Sequence, residues 1–181
     1  DAFTFNGGVT HTAGSTTLFS TINTSADPVN FAATTIAGNS SILSTGGNIT
    51  LAAVNSNVAG SFNFTLTAGA GTIALNGIIG GAAGATRLAT FTASSTPAIA
   101  IANNLAATTV SLTSGGTLTG AGLIDATTLT TSSVGGTSLS SRNSNGATTT
   151  YTGTNTTSGA LNLTSTATTL ILNGVNNSTS T

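Results

Sequence analysis

The chain has almost no charge. Only 3% of its 181 residues are Asp, Glu, Lys or Arg, whereas an ordinary soluble domain carries about 25%. Glu, Gln, Lys, Cys, Met and Trp are absent altogether. Several of these are good helix formers, and charged side chains normally occupy the solvated face of a helix. These absences argue against a helical protein and leave Thr, Ser and Asn to cover the surface.

The residues that are abundant favour β-structure. Thr, Val, Ile and Phe pack well on a pleated surface, because branching at Cβ restricts χ1 in a helix. Disorder is disfavoured, since disordered chains combine low hydrophobicity with high net charge, whereas this chain is 38% hydrophobic with a net charge of −1. The 23 glycines fit frequent turns between short strands. We therefore expect a single repetitive all-β domain over residues 1–181.

Short apolar segments alternate with clusters of Gly, Asn and Ser. In 61–67 the apolar residues Phe62, Phe64 and Leu66 occupy every second position, which places them on one face of a strand. The predicted strands are 16–22, 29–36, 48–54, 61–67, 72–79, 87–93, 105–112, 127–132, 160–164 and 168–172. Each has one buried and one solvated face.

An internal repeat points to a stacked architecture. Residues 64–77 (FTLTAGAGTIALNG) align without gaps on residues 161–174 (LNLTSTATTLILNG). Such self-similarity is typical of proteins in which one unit buries its apolar face only by stacking on the next. The offset suggests units of about 1–77 and 78–174. The Asn-Gly pairs at Asn6, Asn76, Asn145 and Asn173 are interpreted as turn residues, because Asn and Gly readily adopt positive φ.

Residues 66–81 (LTAGAGTIALNGIIGG) and 111–123 (SLTSGGTLTGAGL) resemble the repeats of large bacterial exoproteins of the filamentous haemagglutinin type. The resemblance implies a right-handed parallel β-helix, a form of β-solenoid, together with secretion and a role in adhesion, aggregation or biofilm. Spacing between the motifs is irregular. A β-sandwich, including a strand-swapped pilin, is the alternative fold, since short alternating strands suit both architectures.

Ionisable groups are too few for an enzyme. A Ser-His-Asp triad could be written only from His11, Asp27 and one of many serines, and no Gly-x-Ser-x-Gly motif is present. His11 is therefore interpreted as a solvated turn or edge residue. One His, three Asp and no Cys or Glu do not make a zinc or calcium site. We predict no catalytic, cofactor-binding or metal-ligating residue and no cofactor.

The sequence also argues against nucleic acid and membrane as partners. Arg87 and Arg142 are too few to neutralise phosphates, and they are expected to lie on the surface or at coil edges. No apolar segment reaches the roughly 18 residues of a membrane helix, so no membrane insertion is expected. Asp1 is expected to be a processed or excised start. The predicted location is extracellular or at the cell surface of a bacterium.

Three functions remain open. The first is a non-catalytic structural or adhesive segment of a large surface or secreted protein, which contacts neighbouring repeats and host or abiotic surfaces. The second is a subunit that assembles with itself into an extracellular filament or sheath through open β-edges, which low charge would favour. The third and minor alternative is an ice-binding solenoid, which is disfavoured because the spacing of Thr-rich segments such as 127–131 and 148–157 looks too irregular to form ranks on one face.

Overall fold

A computed structural model describes residues 2–81 and 86–178. These residues form 18 strands and no helix. The strands are β1 (Phe3–Phe5), β2 (Val9–Leu18), β3 (Thr21–Thr24), β4 (Val29–Ile36), β5 (Ser40–Ser44), β6 (Ile49–Leu51), β7 (Val54–Ser56), β8 (Asn63–Thr67), β9 (Ile73–Leu75), β10 (Leu88–Ser95), β11 (Ala98–Ile101), β12 (Leu105–Ser114), β13 (Thr117–Asp125), β14 (Thr128–Ser133), β15 (Thr137–Arg142), β16 (Thr148–Asn155), β17 (Leu161–Ser165) and β18 (Thr169–Asn177).

All pairings among these strands are parallel. Sheet A stacks nine strands, β1, β3, β5, β8, β10, β12, β14, β16 and β18. Sheet B stacks the strands that lie between them in sequence. The β-solenoid prediction is confirmed, and the alternative sandwich, whose sheets are antiparallel, is wrong.

The structural repeat is one coil, whose length varies. Phe64 of β8 pairs with Phe91 of β10, 27 positions further on, whereas Phe91 pairs with Val110 of β12 after only 19. The two similar sequence segments do not occupy equivalent places, because residues 64–67 lie in sheet A and residues 161–165 in sheet B. The division at residue 77 stays a prediction.

The inside of the solenoid is a continuous apolar column. Phe64 and Phe91 are fully buried on adjacent rungs of sheet A, with ring centroids 6.1 Å apart and ring planes tilted by 53°. On the sheet B side, Ile49, Ile73 and Ile99 form a column of paired, fully buried residues. Burial of these faces supplies the main favourable free energy of folding.

Buried polar side chains, mostly hydroxyl groups, line the corner where six of the nine sheet A strands end. Thr24, Ser95 and Ser114 each donate to the backbone carbonyl three residues later, at 2.9–3.1 Å. The same corner contains Ser44, Ser133 and Asn155, which are also buried and hydrogen-bonded. Apart from Ser133, which bonds the hydroxyl of Thr137, these side chains donate to backbone carbonyl groups of the turn and so help to satisfy them.

The turn after this corner requires glycine because successive turns stack closely. A Cβ on Gly116 would lie 1.8 Å from the carbonyl oxygen of Pro97, and one on Gly47 would lie 2.0 Å from that of Asp27. The Gly-rich turns of the sequence therefore reflect the close approach of one coil to the next.

Three of the four Asn-Gly pairs, those of Asn6, Asn76 and Asn145, lie outside strands as predicted, but their glycines do not have the positive φ on which the turn prediction was based. The turn prediction for Asn173 is wrong. Asn173 lies inside β18, beside Gly174 with φ of 74°. The pairing with β16 shifts by one residue here, so the pair forms a β-bulge rather than a turn.

Candidate functional site

The structure brings together three of the chain's few charged residues. Asp125 ends β13, and Arg142 ends β15 at the register position paired with it. Arg142 Nε lies 3.1 Å from Asp125 Oδ2. Arg87, which directly precedes β10, places Nη2 3.2 Å from Asp125 Oδ1. We call these three residues the ion cluster.

Small side chains make room for Arg87 inside the solenoid. Ala107 and Ala126 are fully buried at the same corner. Arg87 Nη2 donates to the carbonyl oxygen of Asp125 at 2.9 Å and approaches that of Ala107 at 3.4 Å. Only 4% of the Arg87 side chain and 1% of the Asp125 side chain are exposed. The ion pair is therefore an interior one, which solvent and salt screen only weakly.

The carboxylate of Asp125 is held in its charged form. Burial acts to raise its pKa, but the hydroxyl and backbone N–H of Ser144 donate to the carboxylate, and Arg87 and Arg142 attract it, so the pKa lies below the ordinary value. The backbone N–H of Ser144 donates to Oδ1 at 2.9 Å. Asp125 thus fixes the loop after β15 as well as both arginines.

The geometry of the ion cluster fits a structural role. Its carboxylate oxygens are used by four donor groups, and no imidazole adjoins the Ser144 hydroxyl, so no activated nucleophile is formed. Nε and Nη1 of Arg87 have no hydrogen-bond acceptor among the described residues. An interior arginine that is only partly satisfied depends strongly on its single counter-ion. The cluster therefore cross-links the coils that carry residues 87, 125 and 142.

Sequence reasoning missed this cluster. Arg87 was expected at the surface or a coil edge, which is wrong because it is 3% exposed. Arg142 fits the expectation better, with 34% of its side chain exposed. The missing information was register, since Arg87 and Asp125 are 38 positions apart and coil lengths vary. The one signal in the sequence was that Arg87 stands in a segment of mostly small residues, 82–90.

The Ser-His-Asp triad considered in the sequence analysis, with His11 and Asp27, is not formed in the structure. His11 is exposed on β2, and its Nδ1 lies 2.8 Å from the hydroxyl of Thr16. Asp27 accepts a hydrogen bond from Ser25 at 3.0 Å, and no hydrogen bond or ion pair joins it to His11. Residues 2–81 and 86–178 contain no group of three His, Cys, Asp or Glu that could hold a metal ion. They also contain no helix long and apolar enough to span a membrane.

The end rungs of sheet A expose side chains that belong to the core columns. Phe3 of β1 pairs with buried Ile22 but is itself 61% exposed. At the other end, Leu172 of β18 pairs with buried Tyr151 and is 62% exposed. Inward-facing apolar residues are thus uncovered at both ends of the described stack.

The chain matches no protein-family model, no curated protein and no solved structure. The resemblance to filamentous haemagglutinin repeats therefore stays a prediction.

Proposed function

We propose that the chain is a non-catalytic structural segment of an extracellular bacterial surface or secreted protein, in which the β-solenoid acts as a stiff, adhesive stalk. The observation that carries this proposal is the parallel stack itself. Nine rungs of sheet A follow one another without a break in pairing. Rungs spaced by about 4.8 Å give a stack about 40 Å long.

The interior of this stack supports a mechanical role. Apolar columns fill it, hydroxyl groups bond its corner turns, and the ion cluster cross-links coils. Such a body resists bending because neighbouring coils share backbone hydrogen bonds along its whole length. The absence of Lys and the scarcity of Arg leave few cleavage sites for trypsin-like proteases. Both properties suit an exposed spacer between a cell and its surroundings.

A filament-forming subunit is the second candidate, and the uncovered end rungs favour it. Phe3 at one end and Leu172 and Val175 at the other present apolar surface next to unpaired strand edges. An additional rung on either end would cover these side chains and pair the edges. In a stalk the additional rung belongs to the same polypeptide, whereas in a filament it belongs to a second copy.

Sedimentation velocity over a concentration series, with electron microscopy of the same samples, separates the two candidates. The stalk proposal predicts one elongated monomeric species at every concentration. Concentration-dependent filaments that disappear in Leu172→Lys would overturn it and support the subunit. Val58→Lys is the matched control, since Val58 is 51% exposed but lies away from the end rungs. A compact or expanded monomer would contradict both candidates.

A further inference from the structure

The outer face of sheet A carries three aligned columns of hydroxyl side chains. Within β8, β10, β12, β14 and β16 the pairing keeps one register from rung to rung over these positions. The columns are Asn63–Thr90–Thr109–Thr128–Thr150, Thr65–Thr92–Ser111–Thr130–Thr152 and Thr67–Ser94–Thr113–Ser132–Thr154. We call these fifteen residues the hydroxyl face; all but Asn63 are Thr or Ser.

This regularity overturns the expectation that Thr residues would not form ranks. The irregular lengths of the coils lie in the turns and in sheet B, whereas β8 to β16 stay in register on sheet A. Alternation then directs every second residue outward, and the intervening ones, such as Phe91 and Tyr151, are buried. The register of strand pairing aligns these residues into columns, and no regular period in the sequence is required.

The hydroxyl groups of this face have no hydrogen-bond partners in the part of the chain that the structure describes. None of the side chains of its Thr and Ser residues forms a hydrogen bond with another described residue, in contrast to the corner hydroxyls such as Ser95 and Ser114. The side chains are partly exposed, so the hydroxyls point to solvent. Because branching at Cβ restricts χ1, a Thr column presents its methyl and hydroxyl groups in a narrow range of orientations.

Charge and aromatic rings are missing from the same face. The charged side chains among the described residues, those of Asp27, Arg87, Asp125 and Arg142, lie at turns, in the interior or in sheet B. Phosphates, nucleic acids and charged lipid surfaces therefore find no counter-charge here. The aromatic rings of β8, β10 and β16 point inward, so sugar rings find no aromatic surface on which to stack.

Over residues 2–81 and 86–178, sheet B offers no comparable surface. Its outward positions mix Ala74, Ala100, Thr119, Ser138 and Asn162. The pairing of β13 with β15 also shifts register beyond Thr119. The neutral, regular array is thus specific to sheet A.

We propose that the hydroxyl face binds ice. Its sites repeat by about 4.8 Å along the stack and about 6.7 Å across each strand, spacings comparable to those between oxygen atoms on ice surfaces. Unpaired and evenly spaced hydroxyl and methyl groups match a ligand that is neutral, periodic and made of hydrogen-bonding oxygen atoms. Rigid side chains lose little conformational entropy when water is ordered on them. Many weak contacts along five rungs act together.

Thermal hysteresis and ice-crystal shaping by the full chain test this proposal. The wild-type protein is expected to lower the freezing point below the melting point and to shape ice crystals. Thr130→Tyr, at the centre of the face, is expected to lose most of the hysteresis at equal concentration. Thr119→Tyr makes the same chemical change on the exposed outer side of sheet B and is expected to retain it. Unchanged circular dichroism verifies that both variants are folded.

Three results would overturn the proposal. One is a wild-type chain without hysteresis or crystal shaping, and another is equal loss in the two tyrosine variants. The third is retention on crystalline cellulose or chitin without any effect on ice, which would assign the face to a polysaccharide. None of these results contradicts the role of the chain as a stiff stalk, which depends on the stack and not on the chemistry of its outer face.

Discussion

Asp125→Asn is expected to lower the free energy of unfolding by about 3–5 kcal/mol, the usual effect of removing one partner of a buried ion pair. The neutral amide cannot balance Arg87, which is 3% exposed and has two nitrogens without acceptors. Urea titration followed by circular dichroism measures the change. The cost arises mainly from the uncompensated guanidinium, since the Asn side chain has nearly the same volume.

Acid provides an independent readout of the same prediction. The pKa of Asp125 is lowered in the folded protein, so its stabilising contribution is present above the pKa of an unfolded Asp, about 3.9. That contribution disappears as the pH falls through the lower folded pKa. The wild-type and Asp125→Asn stabilities are therefore expected to converge at the acid end of a pH series.

Asp27→Asn is the matched control for this change. Asp27 is partly exposed, and its carboxylate accepts one hydrogen bond, from Ser25. Its replacement is expected to change stability by no more than about 0.5 kcal/mol. Equal effects at positions 27 and 125 would contradict the assignment of Asp125 as the counter-ion of an interior arginine.

Phe91→Ala is expected to cost about 3–5 kcal/mol, because truncating a buried Phe removes its transfer free energy and leaves a cavity. Phe91 is fully buried between Phe64 and Val110 on the adjacent rungs of sheet A. The cavity would interrupt the apolar column in the middle of the stack, where the neighbouring rungs cannot collapse without breaking their pairing.

Phe19→Ala makes the identical chemical change at a residue that is 68% exposed. It is expected to leave the urea midpoint almost unchanged, within about 0.5 kcal/mol. A large effect at Phe19 together with a small one at Phe91 would mean that Phe19, and not Phe91, lies in the core, which would contradict the fold.

Much of the fold could be predicted from composition and alternation. The strand expected at 29–36 matches β4 in both bounds, because Val29, Phe31 and Ile36 supply a clear apolar face. No predicted strand covers β15, and the residues of β16 are noted in the sequence only as part of the Thr-rich segment 148–157. Their inward positions include buried Ser141 and Thr149, so alternation of apolar residues gives no signal there.

Neither the ion cluster nor the hydroxyl face could be predicted, for a shared reason. Both depend on which residues of successive coils lie side by side, and coils of 19 and 27 residues occur next to each other. Sequence shows that Thr92 and Thr130 face outward on strands, but only the pairing register shows that they share one column. Register is a tertiary property of the stack.

Oxidative cross-linking of paired cysteines tests the parallel register most directly, and the chain has no native Cys to interfere. Thr92 and Ser111 are paired on adjacent rungs. Paired Cα atoms about 4.8 Å apart lie within the range of about 4.4–6.8 Å that a disulfide spans. Thr92→Cys combined with Ser111→Cys is therefore predicted to form an intramolecular disulfide rapidly under mild oxidation.

The control combines Thr92→Cys with Thr113→Cys, which lies two residues further along β12, where the Cα separation of about 8 Å exceeds that range. Rapid cross-linking of the 92–111 pair, with little of the 92–113 pair, is the result expected for the β-solenoid. No cross-link at 92–111, or equal yields for both pairs, would contradict the stacked parallel fold on which both proposals depend.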